Sequence, residues 1–234
     1  MNERLLKSMV IAPVAARGKT IDGFCRRWAI VEMALFGSLA RGDVRENSDA
    51  DVLVTFLPGT SRTVADRAAI EAELREMFGR EVDVVQADLV VNPFRRHNIL
   101  LDKKVLFPPT SSGDEIRDGA ERFPRDVGLL WDIVRTAGLM AEATHGKSLD
   151  DYKANWILRA AVERCLITVG EASRGFSEAF RAAHPQIPWT GIISERNILV
   201  HQYTPINDDE VWRIATVEVP RLLAELRPLL PSSP

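Results

Sequence analysis

The hydrophobic and polar positions follow two different periods, one in each half of the chain. Up to residue 107, short apolar runs typical of β-strands alternate with segments whose apolar residues recur every three or four positions, as in helices. The predicted strands cover residues 31–36, 51–57, 81–86 and 104–107, and the predicted helices cover 21–30, 62–78 and 94–101. This alternation predicts an α/β fold with a small mixed sheet.

Beyond residue 113 the sequence carries helical patterns alone. Helical spacing runs through residues 125–145, 149–174, 189–203 and 208–230, with prolines between the later segments. Residues 108–113, Pro-Pro-Thr-Ser-Ser-Gly, separate the two patterns and are rich in residues that interrupt regular structure. We therefore expect an α/β domain over residues 1–107, a linker over 108–113, and an all-α bundle of four or five helices over 114–234.

Composition and charge narrow the function classes. The chain has 234 residues, of which 46% are hydrophobic and 27% charged, and its formal net charge is −3. Because neither half has a strong basic excess, we expect any RNA contact to be confined to a small site. No apolar run reaches the roughly 20 residues that span a bilayer, and the first residues lack a signal-peptide pattern. We expect a cytoplasmic protein with no membrane partner.

The first chemical signal is the sequence Gly-Ser-Leu-Ala-Arg-Gly, residues 37–42, at the end of a predicted strand. A strand that ends in Gly-Ser and opens a helix leaves backbone N–H groups free, and these groups, with the Ser38 hydroxyl, can hold a triphosphate. Gly37 lets the backbone approach a ligand closely, and Arg41 could neutralise phosphate charge. We therefore predict that Gly37, Ser38 and Arg41 bind a nucleotide.

Three aspartates supply the second part of this signal. Asp49 and Asp51 are two residues apart at a strand start, so their carboxylates project from one face of the sheet. Paired carboxylates suit Mg²⁺ ions that also bind triphosphate oxygens. Asp83 lies between two valines in the middle of a strand, where a solvated acid would be unusual. We predict that Asp49, Asp51 and Asp83 are ligands of Mg²⁺ bound together with a nucleoside triphosphate, and that Asp83 is also a candidate catalytic base.

This part of the chain resembles the minimal nucleotidyltransferases of the polymerase-β superfamily. The matching pattern is Gly37-Ser38-x-Ala40-Arg41-Gly42, five further residues, and then Ser48-Asp49-x-Asp51. Residues 92–107 are also similar to the end of such domains. The resemblance covers residues 20–107 and implies an ATP- and Mg²⁺-dependent transferase.

A separate signal lies in the helical half, in residues 194–203, Ser-Glu-Arg-Asn-Ile-Leu-Val-His-Gln-Tyr. His201 could act as a general base near neutral pH, because an imidazole has an unperturbed pKa of about 6.5. Arg196 could stabilise a transition state at phosphorus through its fork of donors. Positions five residues apart lie about 140° apart on a regular helix, so the two converge only through the long arginine side chain or across a dimer. We therefore predict a homodimer.

Together with residues 170–172, 184–189 and 211–212, this motif resembles the HEPN domains that accompany minimal nucleotidyltransferases. In that family the Arg-x4-His pair carries metal-independent RNA cleavage, and the tyrosine two residues beyond the histidine receives AMP from the partner transferase. The pair normally forms a toxin–antitoxin system in which the transferase is the antitoxin. The resemblance implies that Arg196 and His201 are the ribonuclease pair and that Tyr203 is the AMP acceptor.

The leading interpretation is a toxin–antitoxin fusion whose first domain adenylylates Tyr203 and so silences an endoribonuclease in the second. Its partners would be ATP, an RNA substrate and a second copy of the chain. Two other functions stay open. An antibiotic nucleotidyltransferase would explain the carboxylates but gives Arg196, His201 and Tyr203 no role. A non-enzymatic nucleotide-binding regulator would have one or both sites inert.

Overall fold

A computed structural model describes residues 20–43, 48–108, 122–194 and 207–233. The chain forms two compact units that divide between Arg122 and Phe123. Within the described ranges the first unit holds the sheet and the second is helical. In these same ranges no helix combines the length and the apolar character needed to cross a bilayer.

The first unit is an α/β fold built on a four-stranded mixed sheet. Its elements are α1 (Ile21–Arg27), β1 (Ile30–Phe36), α2 (Gly37–Arg41), β2 (Ala50–Phe56), α3 (Val64–Phe78), β3 (Val82–Gln86), α4 (Pro93–Asp102) and β4 (Lys104–Phe107). The strand order is β3-β2-β1-β4. Strand β1 is antiparallel to both β2 and β4, whereas β2 and β3 are parallel. The predicted fold class is confirmed for this half.

The two faces of the sheet pack against different helices. On one face Val52, Val54 and Val84 join the main core with side chains of α1 and α3, including Phe24 and Leu74. On the other face Leu53 and Ala34 form a smaller cluster with Ile99 of α4. Because side chains alternate along a strand, Asp51 and Asp83 project on the α4 face. Helix α4 therefore shares its side of the sheet with the predicted carboxylates.

Local capping fixes where α4 begins. The Asn92 side chain accepts hydrogen bonds from the backbone N–H groups of Phe94 and Arg95, both at 3.1 Å. Pro93 occupies the first position of the helix, where its missing N–H has no cost. Asn92 and Phe94 are both buried, so this end of α4 is anchored. The helix then runs along the sheet and ends at Asp102.

The residues that the structure describes in the second unit form helices, as predicted. Its elements are α5 (Arg125–Thr144), α6 (Leu149–Ala154), α7 (Trp156–Arg174), α8 (Glu178–Ala183), α9 (Asp208–Arg213) and α10 (Val219–Leu226), and residues 189–194 are also helical. Helices α5 and α7 pack along their lengths, with Ile133 against Val169 in one apolar cluster and Met140 with Val162 in another. A π-helical turn, Ile214–Glu218, joins α9 to α10 just before Pro220, whose ring nitrogen cannot continue the regular hydrogen-bond ladder.

The segment predicted as one helix over 208–230 contains α9, the π-helical turn and α10 as separate elements, and two other predicted helices are interrupted or ended early. The segment predicted as one helix over 149–174 is broken at Asn155, whose backbone is extended and whose side chain caps α7 by accepting from Ile157 and Leu158 at 3.1 Å. The helix predicted over 21–30 ends at Arg27, and Ala29 turns the chain with φ of 47° before β1. In both places a local backbone turn ends a helical apolar pattern early.

Candidate functional site

The glycine loop, defined here as residues 37–42, lies directly against the carboxylate of Asp51. Gly37 follows the last residue of β1 and has φ of +69°, a left-handed conformation that favours glycine. A Cβ atom added at Gly37 would lie 2.1 Å from Oδ2 of Asp51. This proximity arises because Phe36, the preceding residue, is the register partner of Asp51 across the β1–β2 pair. The antiparallel pairing therefore brings the predicted phosphate loop and a predicted metal ligand into contact.

Helix α2 is short, and two of its side chains are buried in the main core. It has five residues, and Leu39 and Ala40 are almost fully buried in the main core. Gly42 ends the helix in a left-handed conformation with φ of +87°, and its N–H and that of Asp43 both donate to the Ser38 carbonyl at 3.0 Å. The buried pair thus holds the loop in place while Ser38 stays half-buried at its edge.

The parallel register places two of the predicted metal ligands side by side. Asp51 of β2 is the register partner of Asp83 of β3, and neighbouring strands lie about 4.8 Å apart. Asp49 precedes β2 by one residue and, two positions before Asp51, shares its side of the chain. All three predicted ligands therefore belong to the end of the sheet where β1 ends and where β2 and β3 begin.

Three negative charges lie close together among these acids, and nearby positive charge compensates them only in part. Burial, followed by the negative charges of Asp83 and Asp49, raises the pKa of the Asp51 carboxyl, and the nearby Arg41 offsets this in part. In the described residues none of the three acids forms an ion pair with a lysine or an arginine. Oxygen-only donors with no cationic partner have the chemistry that suits a hard divalent cation.

The side chains as placed do not form a finished metal centre. Among the described residues, no three histidine, cysteine, aspartate or glutamate side chains form a group able to hold a metal ion. The metal-ligand assignment stays a prediction, whereas the expectation that Asp83 is shielded from solvent is wrong, since Asp83 is exposed while Val82 and Val84 on either side are buried. Asp83 is the second residue of β3 rather than a central one, so its side chain lies at the open edge of the sheet.

Arg41 is not a free cation. Its Nε donates to Asp43 at 3.0 Å, and its Nη1 donates to Asp102 at 2.6 Å. Asp102 is the last residue of α4 and is buried, and its second oxygen accepts from Nη1 of Arg122 at 2.6 Å. Asp102 and Arg122 are not predicted as site residues from the sequence, because each lies in a segment distant from residues 37–42. The signal that could have marked Asp102 is an acid directly after the apolar run Ile99-Leu100-Leu101.

A further arginine supports the loop that carries Asp49. Nη1 of Arg80 donates to the carbonyl of Ser48 at 3.3 Å. The next residue, Glu81, accepts the backbone N–H of Ala50 at 2.8 Å through its own carbonyl. Asp49 is thus held between two residues that are tied to the start of β3.

The predicted ribonuclease residues lie outside the described part of the chain. Arg196, His201 and Tyr203 belong to residues 195–206, so their geometry stays a prediction. On the preceding side, Trp189 is buried beside Phe176, and its Nε1 donates to the carbonyl of His184 at 3.0 Å.

On the far side of that segment, the Asn207 side chain caps α9 by accepting from the backbone N–H groups of Asp209 and Glu210. Of the histidines outside the motif, His145 follows the end of α5, and His184 follows the end of α8 with its ring 4.7 Å from that of Phe180. The His184 ring therefore packs against an aromatic neighbour, whereas His145 is exposed.

Comparison with known proteins identifies both halves. The family model described as a nucleotidyltransferase domain matches residues 18–106, and the model described as ribonuclease HepT-like matches residues 133–229. "Putative RNase MJ1380" from Methanocaldococcus jannaschii is 36% identical over 103 residues, which cover 44% of this chain and 94% of that protein. The chain is a fusion of a nucleotidyltransferase domain with a HepT-like ribonuclease domain.

A second relative matches a shorter stretch. "Putative protein adenylyltransferase MJ0435" from the same organism is 37% identical over 67 residues, covering 29% of this chain and 69% of that protein. A solved structure described as a putative minimal nucleotidyltransferase is 34% identical, covers 41% of this chain and 95% of its own, and has a TM-score of 0.35. The family assignment rests on the family models and the sequence identities.

The residue ranges of the two family models can be compared with the positions of the candidate site residues. Every predicted nucleotide and metal residue lies within the nucleotidyltransferase segment, and Arg196, His201 and Tyr203 lie within the HepT-like segment. The resemblance to both families is therefore confirmed. Asp102 belongs to the first segment, whereas Arg122 belongs to neither.

Proposed function

We propose that this fusion is a self-contained toxin–antitoxin protein, in which the nucleotidyltransferase domain transfers AMP from ATP to Tyr203 and thereby silences the ribonuclease domain. The observation that carries the proposal is the contact between the glycine loop and Asp51. A triphosphate held by the backbone of Gly37 and Ser38 would lie beside the carboxylates that position its metal. The relative named as a protein adenylyltransferase supports protein as the acceptor.

The donor set fits Mg²⁺, because Asp51 and Asp83 are register partners on one face and Asp49 is two residues away. When bound, Mg²⁺ would neutralise charge on the triphosphate and orient the phosphate under attack. We propose Asp49, Asp51 and Asp83 as its ligands. The exposed position of Asp83 also leaves it accessible to an incoming hydroxyl, which suits its second proposed role as the base.

The proposed reaction is a single displacement at the α-phosphorus. The phenol oxygen of Tyr203 forms a bond to that phosphorus, the bond to the leaving pyrophosphate breaks, and Asp83 accepts the phenol proton. The products are an AMP-tyrosine phosphodiester and pyrophosphate. Within the loop, the backbone N–H groups of Gly37 and Ser38 would orient the phosphates.

The proposed silencing follows from position. Tyr203 lies two residues beyond His201, so an attached adenylyl group would place bulk and a negative charge next to the proposed ribonuclease pair. That charge would repel an RNA phosphate, and the adenosine would occupy space that the RNA needs. In the unmodified state, we propose that His201 removes a proton from an RNA 2′-hydroxyl as its oxygen bonds to the adjacent phosphorus. The bond from that phosphorus to the 5′-oxygen breaks, the departing oxygen takes a proton from water, and Arg196 stabilises charge on the phosphate.

The test is peptide mapping by mass spectrometry after incubation with ATP and Mg²⁺. We expect AMP on Tyr203 in the wild type and no AMP in Asp49→Asn, which should also cleave RNA unless His201→Ala is added. Asp88→Asn is the matched control, because Asp88 is an exposed acid just beyond the opposite end of β3. It should be modified like the wild type.

Other outcomes would contradict the proposal in different ways. AMP on an added aminoglycoside and on no residue of the protein would favour an antibiotic nucleotidyltransferase. Failure of the wild type to turn over ATP, with no RNA cleavage by any variant, would favour a non-enzymatic regulator. Modification of Asp49→Asn at the wild-type rate would contradict the metal assignment, since the amide keeps the shape of the carboxylate and loses its charge.

A further inference from the structure

A buried carboxylate joins the glycine loop to a residue beyond the nucleotidyltransferase segment. The side chain of Asp102 is 7% exposed. Its Oδ2 accepts from Nη1 of Arg41 and its Oδ1 accepts from Nη1 of Arg122, both at 2.6 Å. A buried carboxylate is costly unless it is paired and hydrogen-bonded, and here each oxygen has one arginine.

The exposure of the three side chains is unequal. The side chains of Arg41 and Arg122 are 36% and 45% exposed, whereas that of Asp102 is nearly inaccessible. The anion is therefore covered by its two partners, and the group presents guanidinium edges to solvent. An arginine uses one or two of its five N–H donors in such a pair and keeps the others for a ligand.

The charge count gives Arg122 a role that Arg41 cannot fill alone. Arg41 is also paired with Asp43, so a single arginine would face two carboxylates, and these three side chains would have a net charge of −1. Arg122 raises that sum to zero. A triphosphate is strongly anionic, so this difference in charge should decide whether the cluster repels or accepts it.

We propose that Asp102 is a positioning residue that holds Arg41 and Arg122 together as a two-arginine clamp on the β- and γ-phosphates of a nucleotide held by Gly37 and Ser38. Arg41 lies four residues after Gly37, within the same short helix. Arginine forks match phosphate oxygens in geometry as well as in charge. Arg122 is then a nucleotide-binding residue that lies outside both family segments. The inference rests on the proposed nucleotide-binding function.

The experiment uses the full chain and two ligands, the α,β-methylene analogue of ATP with Mg²⁺, and AMP. The methylene bridge prevents adenylyl transfer, so calorimetry reports binding alone. We expect Arg122→Gln to weaken binding of the analogue about three- to tenfold, and Asp102→Asn to weaken it about tenfold or more, because both arginines lose their anchor. AMP binding should change less than about twofold, since AMP lacks the clamped phosphates.

A matched control separates positioning from stability. Glu32 and Lys103 form another ion pair at 2.8 Å, with side chains 21% and 10% exposed, and Lys103 directly follows Asp102 in the sequence. Glu32→Gln should lower the melting temperature and leave the affinity for the analogue unchanged. Asp102→Glu, which keeps the charge, should recover part of the lost affinity.

The possible failures are distinguishable. If the wild type does not bind the analogue, the proposed nucleotide site is wrong and the clamp falls with it. If the wild type binds, and Asp102→Asn and Arg122→Gln match it in affinity while melting lower, the cluster is only a structural tie. Equal weakening by Glu32→Gln would also overturn the clamp. Arg122→Gln changes a half-exposed side chain, so the test survives if Asp102→Asn does not fold.

Discussion

Replacing Gly37 by alanine tests the contact on which the proposed transferase site depends. The added Cβ would lie 2.1 Å from Oδ2 and 3.0 Å from Cγ of Asp51. Real Cβ atoms do not approach other heavy atoms closer than 3.0 Å, so the carboxylate must move by about 1 Å or the loop must shift away from it. Either movement separates the phosphate-binding backbone from the carboxylate.

Two costs follow, and they affect different measurements. The left-handed backbone, with φ of +69°, should cost about 1–2 kcal/mol of stability for any residue that has a Cβ. The displaced carboxylate should cost about 100-fold in the rate of adenylyl transfer, because misplacement by about 1 Å has that effect on positioned reactions. We therefore expect a moderate loss of stability and a large loss of rate.

Gly59→Ala is the matched control. Gly59 has φ of +81°, and an added Cβ would meet nothing within 4 Å. Both variants should lose similar stability in urea or thermal unfolding, and only Gly37→Ala should lose the transfer reaction, measured as the initial rate of AMP incorporation with ATP and Mg²⁺. A Gly37→Ala protein that transfers AMP as fast as Gly59→Ala would refute the role assigned to the contact.

Two further predictions concern the helical domain. The hydroxyl of Tyr152 is buried and has no hydrogen-bond partner in the described residues, so Tyr152→Phe should leave the free energy of unfolding unchanged or raise it by up to about 1 kcal/mol; a loss above about 1 kcal/mol would show that the hydroxyl has a partner. On a regular helix, positions five residues apart, such as those of Arg196 and His201, lie about 140° apart; we therefore expect light scattering to give a dimer at micromolar concentration, and a strict monomer with full ribonuclease activity would contradict this.

The sequence predicts the elements well because their causes are local. Each predicted strand of the α/β half lies within one residue of its observed bounds, since β-branched runs between turn residues depend on neighbours in sequence. The break at Asn155 was missed because the apolar period continues through it. The side chain of Asn155 competes for the backbone N–H groups of the next turn, and periodicity does not report that competition.

Residues of the proposed site also differ in how far the sequence predicts them. Gly37, Asp49 and Asp51 are close in sequence, so their spacing is enough to propose them as site residues. The pairing of Asp51 with Asp83 depends on the register of two parallel strands, and the exposure of Asp83 depends on where β3 begins. Neither is fixed by local pattern.

The contacts of Asp102 with Arg41 and Arg122, on which the proposed clamp rests, cannot be predicted from the sequence for a similar reason. Asp102 lies 61 residues from Arg41 and 20 from Arg122. Arg41 was predicted as a free phosphate ligand because its two acidic partners could not be located without the fold. When charged residues meet only through the tertiary structure, the sequence shows that they are present but does not show that they form one site.

Because the two domains are fused, the proposed transfer of AMP could occur within one chain or between two chains. An acceptor on the same chain meets the transferase at an effective concentration set by the linker, millimolar for a short flexible one and near zero for one that cannot span the sites. A rate that is independent of protein concentration would fit transfer within a chain, but transfer across a stable dimer would give the same result. A mixture of Asp49→Asn with Tyr203→Phe separates the two, because the first variant should accept AMP without transferring it and the second should transfer without accepting. AMP on the Asp49→Asn chain can then come only from a neighbouring chain. When the two variants are unfolded and refolded together, so that mixed dimers form, the presence or absence of that AMP shows whether transfer occurs between chains.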